Sequence, residues 1–196
     1  TYDHILNTVE RSLKNFHTKY IDLLLIHRPD PLMNADEIAS AFIHLKDSGK
    51  VRFFGVSNFR PHQFDLIQSR IRFPIVTNQI EFSVLQPDPL YSGELDQCQQ
   101  RRISPMIWSP LGGGRLFNGE HPDLVQTLQA LADELGATGI DQIALSWLLR
   151  HPANLVPILG TRNLDRIQSA VSAEKIKLTR QQWFTILRAA TGKDVR

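Results

Sequence analysis

Short apolar runs alternate along this chain with longer stretches in which apolar residues return every three or four positions. Ile5, Leu6, Val9, Leu13 and Phe16 repeat at helical spacing and predict an opening helix with one apolar face. The run Ile21–Ile26, interrupted by Asp22 and closed by His27-Arg28-Pro29, is too short for a buried helix and predicts a strand buried on both faces. Asn34 with Glu37 three residues on has the spacing of a helix cap, Ile38, Phe42 and Leu45 form the stripe, and Gly49 ends it. The cycle then repeats. A strand over 51–56 runs into Ser57-Asn58, Pro61 opens a helix with Phe64 and Ile67, and a strand over 75–80 carries Asn78-Gln79 at its end. A helix around Leu95 leads to a fourth strand, Met106-Ile107-Trp108, and to Ser109-Pro110-Leu111-Gly112-Gly113-Gly114.

Two helices follow without a strand between them. Pro122 opens the first, with Leu124, Leu128, Leu131 and Leu135 on one face and Gly136 beyond its end. Thr138 and Asp141 form a capping pair for the second, whose stripe is Ile140, Ala144, Trp147 and Leu148. A fifth strand over 155–159 ends in Gly160-Thr161-Arg162-Asn163, and Ile167 and Val171 mark the next helix. Thr179 and Gln182 cap the last one, which carries Trp183, Ile186 and Leu187.

Each strand end is separated from the next strand by enough chain for a helix, so the strands pair in parallel and the fold class is α/β. A doubly wound nucleotide fold favours a glycine-rich turn after its first strand, and here that turn reads His-Arg-Pro. A TIM-type (β/α)8 barrel explains better why polar residues recur at every strand's C-terminal end, since those ends surround one mouth. Residues 1–196 show no linker and read as a single domain. Such a barrel takes roughly 250 residues and eight strands. The five strands of this chain are therefore expected to be its C-terminal five, with three lying upstream of Thr1. An unclosed barrel exposes sheet edges, so the isolated chain is expected to associate.

Composition narrows the function classes. The 196 residues are 42% hydrophobic and 21% charged, which supports a packed core and excludes collagen-like and low-complexity readings. Lys and Arg number 22 against 20 Asp and Glu, a net charge of +2, so no nucleic-acid partner is expected. One cysteine, Cys98, cannot form an internal disulfide, and no apolar run reaches the roughly 20 residues of a membrane span. A cytoplasmic protein with no membrane partner is the expectation.

The strand ends gather His27, Ser57, Asn58, Gln79, Trp108, Ser109 and the segment 160–166. One imidazole among neutral amides and hydroxyls is no metal cage, so no metal is expected. Paired carboxylates for glycoside chemistry are not evident, and Ser57 and Ser109 lack the Gly-x-Ser-x-Gly setting of a nucleophile. Amides and hydroxyls suit a neutral carboxamide, an indole stacks on a flat ring, and glycines let a pyrophosphate approach the backbone. Arg162 and Arg166 at the opening of a helix suit a further phosphate. Placed together, these point to a nicotinamide dinucleotide. Each also has a structural reading when taken singly: His27 packed in a turn, Ser57-Asn58 as a turn before Pro61, Trp108 as core, the two arginines as solvated charges. The other six histidines form no ligand pattern.

These residues resemble the aldo-keto reductases, especially bacterial members that reduce carbonyls with NADPH. The matching strings are YIDLLLIHRP from Tyr20, LKDSGKVRFFGVSNF over 45–59, Asn78-Gln79, Trp108-Ser-Pro-Leu-Gly112 and Gly160-Thr-Arg-Asn163, in order along almost the whole chain. The resemblance implies that His27 is the catalytic histidine, which orients the carbonyl. It further implies that Ser57, Asn58 and Gln79 contact the carboxamide and that Trp108 stacks on the nicotinamide. Ser109, Pro110, Leu111 and Gly112 match the pyrophosphate loop. Gly160, Thr161, Arg162 and Arg166 match the adenosine-phosphate segment, where a cation favours NADPH over NADH. Ser169 and Ala170 stand where the family often has an acid and an amide. The family's catalytic Asp, Tyr and Lys have no match here, and Tyr2, Tyr20 and Tyr91 are poor substitutes for the general acid. Two functions stay open: an NADPH-dependent reductase of a small aldehyde or ketone, or an inactive dinucleotide-binding or regulatory protein.

Overall fold

The computed structural model, which describes residues 1–194, carries eight α-helices and five strands among the described residues. They fall into two compact units, Thr1–Gln79 and the chain from Ile80 onward.

The first unit contains α1 (Tyr2–Asn15), β1 (Ile21–Ile26), α2 (Ala35–Asp47), β2 (Val51–Ser57), α3 (Pro61–Gln68) and the start of β3 (Ile75–Glu81). The strands run in sequence order and pair in parallel, from Ile21 opposite Val51 to Ile26 opposite Val56, and on to Ser57 opposite Gln79. The capping expected of Asn34 is present: its side chain accepts from the backbone N–H of Asp36 at 2.9 Å and of Glu37 at 3.3 Å. Ile38, Phe42 and Leu45 are buried with Phe54, whose ring lies 4.3 Å from that of Phe42. Each such side chain contributes roughly 1.5–3 kcal/mol by leaving water.

Gly55 shows why the second strand admits no side chain there. A Cβ at this position would meet Leu25 Cδ2 at 2.4 Å and Thr77 Cγ2 at 2.8 Å. The ladder is irregular between Phe54 and Val56, so the strand end that carries Ser57 is brought opposite Gln79 by a local bulge.

Two expectations for this unit fail. No residue of β1 is fully buried, because β1 stands at the end of the strand order and has one strand neighbour. Phe16, placed on the apolar face by its period, is 71% exposed as the C-cap just past the end of α1 at Asn15.

The second unit contains α4 (Glu94–Arg101), β4 (Met106–Trp108), α5 (Pro122–Leu135), α6 (Ile140–Leu149), β5 (Val156–Pro157), α7 (Leu164–Ser172) and α8 (Arg180–Thr191). β4 and β5 are parallel, with Met106 opposite Val156 and Ile107 opposite Pro157. Leu128, Ile143, Trp147, Leu148 and Ile186 lie in its core. The indoles of Trp147 and Trp183 stack 4.8 Å apart, and each Nε1–H donates to the other residue's backbone oxygen, at 3.1 and 2.9 Å. The Thr179–Gln182 capping box closes reciprocally at 2.7 and 3.2 Å, as its spacing predicts. Cys98 is buried in this unit, and burial together with the nearby Glu94 carboxylate pushes its thiol up to about 12.

Here too the sequence reading needs correction. Gly139, not Thr138, is the N-cap of α6, and the Asp141 carboxylate accepts from Ser169 Oγ at 2.8 Å instead of capping. The fifth strand is two residues long, Val156–Pro157, rather than 155–159, with the Ile158 N–H still reaching the Ile107 carbonyl at 2.8 Å. Val171 is exposed on α7.

Candidate functional site

β1 delivers His27 to its C-terminal end, where the residue is exposed and its ring makes no hydrogen bond to any described residue. The following turn is held by Asp30, which accepts the Leu32 N–H at 2.8 Å on its carboxylate and the Met33 N–H at 2.9 Å on its carbonyl. At the end of β2, Ser57 is buried and Asn58 adopts φ 58°, a left-handed conformation that asparagine tolerates better than most residues. The Gln79 carbonyl accepts both the Asn58 N–H at 2.8 Å and the Ser57 hydroxyl at 3.1 Å, while Asn58 Nδ2 donates to Ser57 Oγ at 3.1 Å. Ser57, Asn58 and Gln79 therefore form one bonded group.

Asn78 and Gln79 point to opposite faces of β3. Asn78 is fully buried, donating to the Phe59 carbonyl at 2.7 Å and accepting the Phe59 N–H at 3.4 Å, so it locks the turn that displays Asn58. Gln79 is half-buried, and its side-chain carboxamide makes no hydrogen bond among the described residues. Its carbonyl oxygen acceptor and its two amide N–H donors are left for a ligand.

In the second unit β4 ends at half-buried Trp108. Ser109 takes φ 49°, its carbonyl accepts the Gly112 N–H at 2.8 Å, and buried Pro110 and half-buried Leu111 complete the turn. Gly112 takes φ 64° with its Cα against Leu85, where a Cβ would approach Leu85 Cδ1 to 2.7 Å. Gly160 has open space around it, with nothing within 4 Å of a built Cβ. Thr161 Oγ1 accepts the Asn163 N–H at 3.1 Å, and Asn163 caps α7 by accepting the Arg166 N–H at 3.1 Å. Arg162 and Arg166 are exposed and form no ion pair with a described residue. Ser169 is engaged by Asp141 and by Gln142 Nε2, the latter at 3.2 Å.

Sequence reasoning assigned no role to Asn78 and Asn163, both of which position site residues. For Asn163 a cap signal was available, since it precedes a helical period; for Asn78 nothing local distinguishes an asparagine that braces a turn from one that faces a ligand.

The model of the Aldo/keto reductase family matches residues 1–190. The chain belongs to the aldo/keto reductase family. Among relatives of this chain, Oxidoreductase YdhF of Escherichia coli (strain K12) is 54% identical over 98% of this chain and 65% of its own length. The 6-dehydroglucose reductase of Agrobacterium fabrum (strain C58 / ATCC 33970) is 49% identical over 100% of this chain and 65% of its own. The chain thus spans about 65% of the length of these relatives. A solved structure, the thermostable aldo-keto reductase Tm1743 in complex with the inhibitor epalrestat, superposes with a TM-score of 0.87 at 33% identity, covering 95% of this chain and 66% of that one. The parallel strands and intervening helices of this chain are accordingly those of a TIM-type α/β barrel. Among the described residues no helix is long and apolar enough to cross a membrane.

Proposed function

We propose that this chain carries the NADPH-binding residues and the histidine of a carbonyl reductase that converts an aldehyde or ketone to an alcohol. The observation that carries this reading is the open carboxamide of Gln79 beside the bonded pair Ser57-Asn58. A primary amide offers one acceptor and two donors in a plane, and Gln79 presents the complementary set. When bound, NADPH supplies the hydride that the carbonyl carbon accepts.

The chain's own residues then divide the work. Ser57, Asn58 and Gln79 hold the carboxamide, and Trp108 gives the nicotinamide ring an apolar face to stack on. The turn Ser109, Pro110, Leu111 and Gly112 takes the pyrophosphate, with glycine letting phosphate near the backbone. Gly160 and Thr161 lead into α7, where Arg162 and Arg166 pair with a 2′-phosphate. The imidazole N–H of His27 donates to the carbonyl oxygen and orients it. The partner is a small carbonyl compound, with neither nucleic acid nor membrane involved, and the chain works as one domain in the cytoplasm. Relatives named 6-dehydroglucose reductase, at 49% and 38% identity, make that compound a first carbonyl to test.

Binding without turnover by these residues taken alone is a second reading, since none of the tyrosines among the described residues stands at a strand's C-terminal end. Tyr2 lies on α1 against His44, Tyr20 lies under the Arg52 guanidinium at 3.8 Å, and Tyr91 is exposed beyond β3, so none ends a strand. Titration of ring fluorescence with NADPH and NADH tests the cofactor assignment. Preference for NADPH, weakened about tenfold in Arg166→Ala, is expected. Equal binding of both cofactors, unchanged in the variant, overturns it. Adding 6-dehydroglucose to the loaded protein and following absorbance decay separates the two readings.

A further inference from the structure

Between the 3-10 segment Gly112–Phe117 and the opening of α5 at Pro122 lies a short loop that none of the roles above explains. It carries Asn118-Gly119, the single step in the chain at which glycine follows asparagine. Both residues are exposed, while Leu116 before them and Leu124 after them are buried in the core of the second unit. The loop therefore spans two fixed points.

An asparagine side chain is an electrophile on which the next backbone nitrogen can close a five-membered ring. Closure needs a free nitrogen, a polarised side-chain carbonyl and room to turn, and all three meet here. The Gly119 N–H makes no hydrogen bond to a described residue. Asn118 Oδ1 accepts the Glu120 N–H at 3.1 Å, which draws electron density from the amide carbon, and Nδ2, the leaving group, is unbonded among the described residues. Gly119 takes φ 86°, with no atom within 4 Å of a Cβ built on it. Asn118 stands at ψ 0° and has to rotate about its Cα–C bond before the ring closes. An exposed residue followed by glycine makes that rotation at low cost.

Elsewhere the same chemistry is obstructed. After Asn58 the Phe59 N–H is held by buried Asn78, and after Asn15 the Phe16 N–H is held by the Ser12 carbonyl. Every asparagine other than Asn118 precedes a residue with a Cβ, which crowds the attacking nitrogen.

We propose that Asn118 is a site of spontaneous deamidation, which gives each molecule an irreversible mark of its age. The Gly119 nitrogen yields its proton to solvent base and attacks the Asn118 amide carbon. A C–N bond forms, the bond to Nδ2 breaks, and ammonia leaves after taking up a proton from water. Water then adds to either carbonyl carbon of the cyclic imide and opens the ring, giving aspartate by one cleavage and isoaspartate by the other. Nothing is oxidised or reduced, and neither cofactor nor carbonyl substrate takes part, so the inference stands apart from the reading above. The product lowers the net charge by one, and isoaspartate adds a methylene to the main chain between Leu116 and Pro122.

The test is timed incubation of the folded chain at mildly alkaline pH, followed by peptide mapping with electron-transfer fragmentation, which separates aspartate from isoaspartate. Product at position 118, with isoaspartate in excess, is expected to form at least about tenfold faster than at Asn34, Asn58 or Asn163. Gly119→Ala is expected to slow it about tenfold, and Asn118→Gln, whose ring would have six members, to abolish it. Isoelectric focusing of intact chain should show an acidic band growing in the wild type and absent from Asn118→Gln. Product that forms in urea and not in the folded chain overturns the proposal, because the fold would then be protecting the step. Equal rates at Asn34 or Asn163, or an undiminished rate in Gly119→Ala, overturn it as well.

Discussion

The strand ends of β2 and β4 are built by opposite means. At the end of β2 the display of Asn58 is fixed from within: its own N–H and the Ser57 hydroxyl share the Gln79 carbonyl, and buried Asn78 uses both ends of its amide on Phe59. At the end of β4 the chain instead crosses three glycines with positive φ, where Gly112 packs against Leu85 and half-exposed Arg115 donates a hydrogen bond to the Gly112 carbonyl. A planar amide ligand has a directional pattern of donors and acceptors, so the residues that read it gain from a backbone that cannot turn. A phosphate accepts hydrogen bonds over a wide range of directions, so a loop of the kind proposed for the pyrophosphate tolerates movement.

Removing Asn78 should break the first end outright. Asn78→Ala leaves the Phe59 N–H and carbonyl buried without their partner, at a cost of about 2–4 kcal/mol in urea denaturation. Gly114→Ala, at φ 91° in open space, should cost only about 1–2 kcal/mol of backbone strain, and equal losses at the two ends would erase the contrast. Asn58 sharpens it further. Asn58→Ala should lose about 1 kcal/mol more than Asn58→Gly, because glycine accepts φ 58° and alanine does not, while both should weaken NADPH binding alike in fluorescence titration.

A smaller effect should come from His151, which supports the second unit alone. Its Nδ1 accepts the Ala153 N–H at 3.2 Å, and its ring meets the edge of Phe82, just past β3. Burial lowers its pKa from the ordinary 6.5, with the Asp96 carboxylate opposing. Above pH 6.5 the imidazole is neutral in both folded and unfolded chain, so its contribution is constant. Below that value the unfolded chain takes up a proton that the folded chain resists, and stability falls. Denaturation at pH 7.5 and 5.5 should show this fall in the wild type and a smaller one in His151→Gln, with hydrogen exchange rising at residues 112–117 before residues 57–59.

Much of this architecture was legible in one dimension. The helix periods, the Asn34 and Thr179 caps and the β1, β2 and β4 runs each follow from rules that act within a few residues, so the strings around them also suffice to mark the family. Where reading failed, a partner distant in sequence had intervened. Asp141 has capping spacing to Thr138 yet bonds Ser169, 28 positions away, and the exposure of β1 depends on which strands flank it. His27, Ser57, Asn58, Gln79, Trp108 and the arginines were nameable as chemistry because residue type and place at a strand end are sequence properties. That Ser57 and Asn58 are tied to Gln79, and that Asn78 braces while Gln79 stays open, were decided by tertiary structure. Sequence carries the period and the functional group, whereas a hydrogen bond between residues about 20 positions apart exists only once the chain has brought its two ends within about 3 Å.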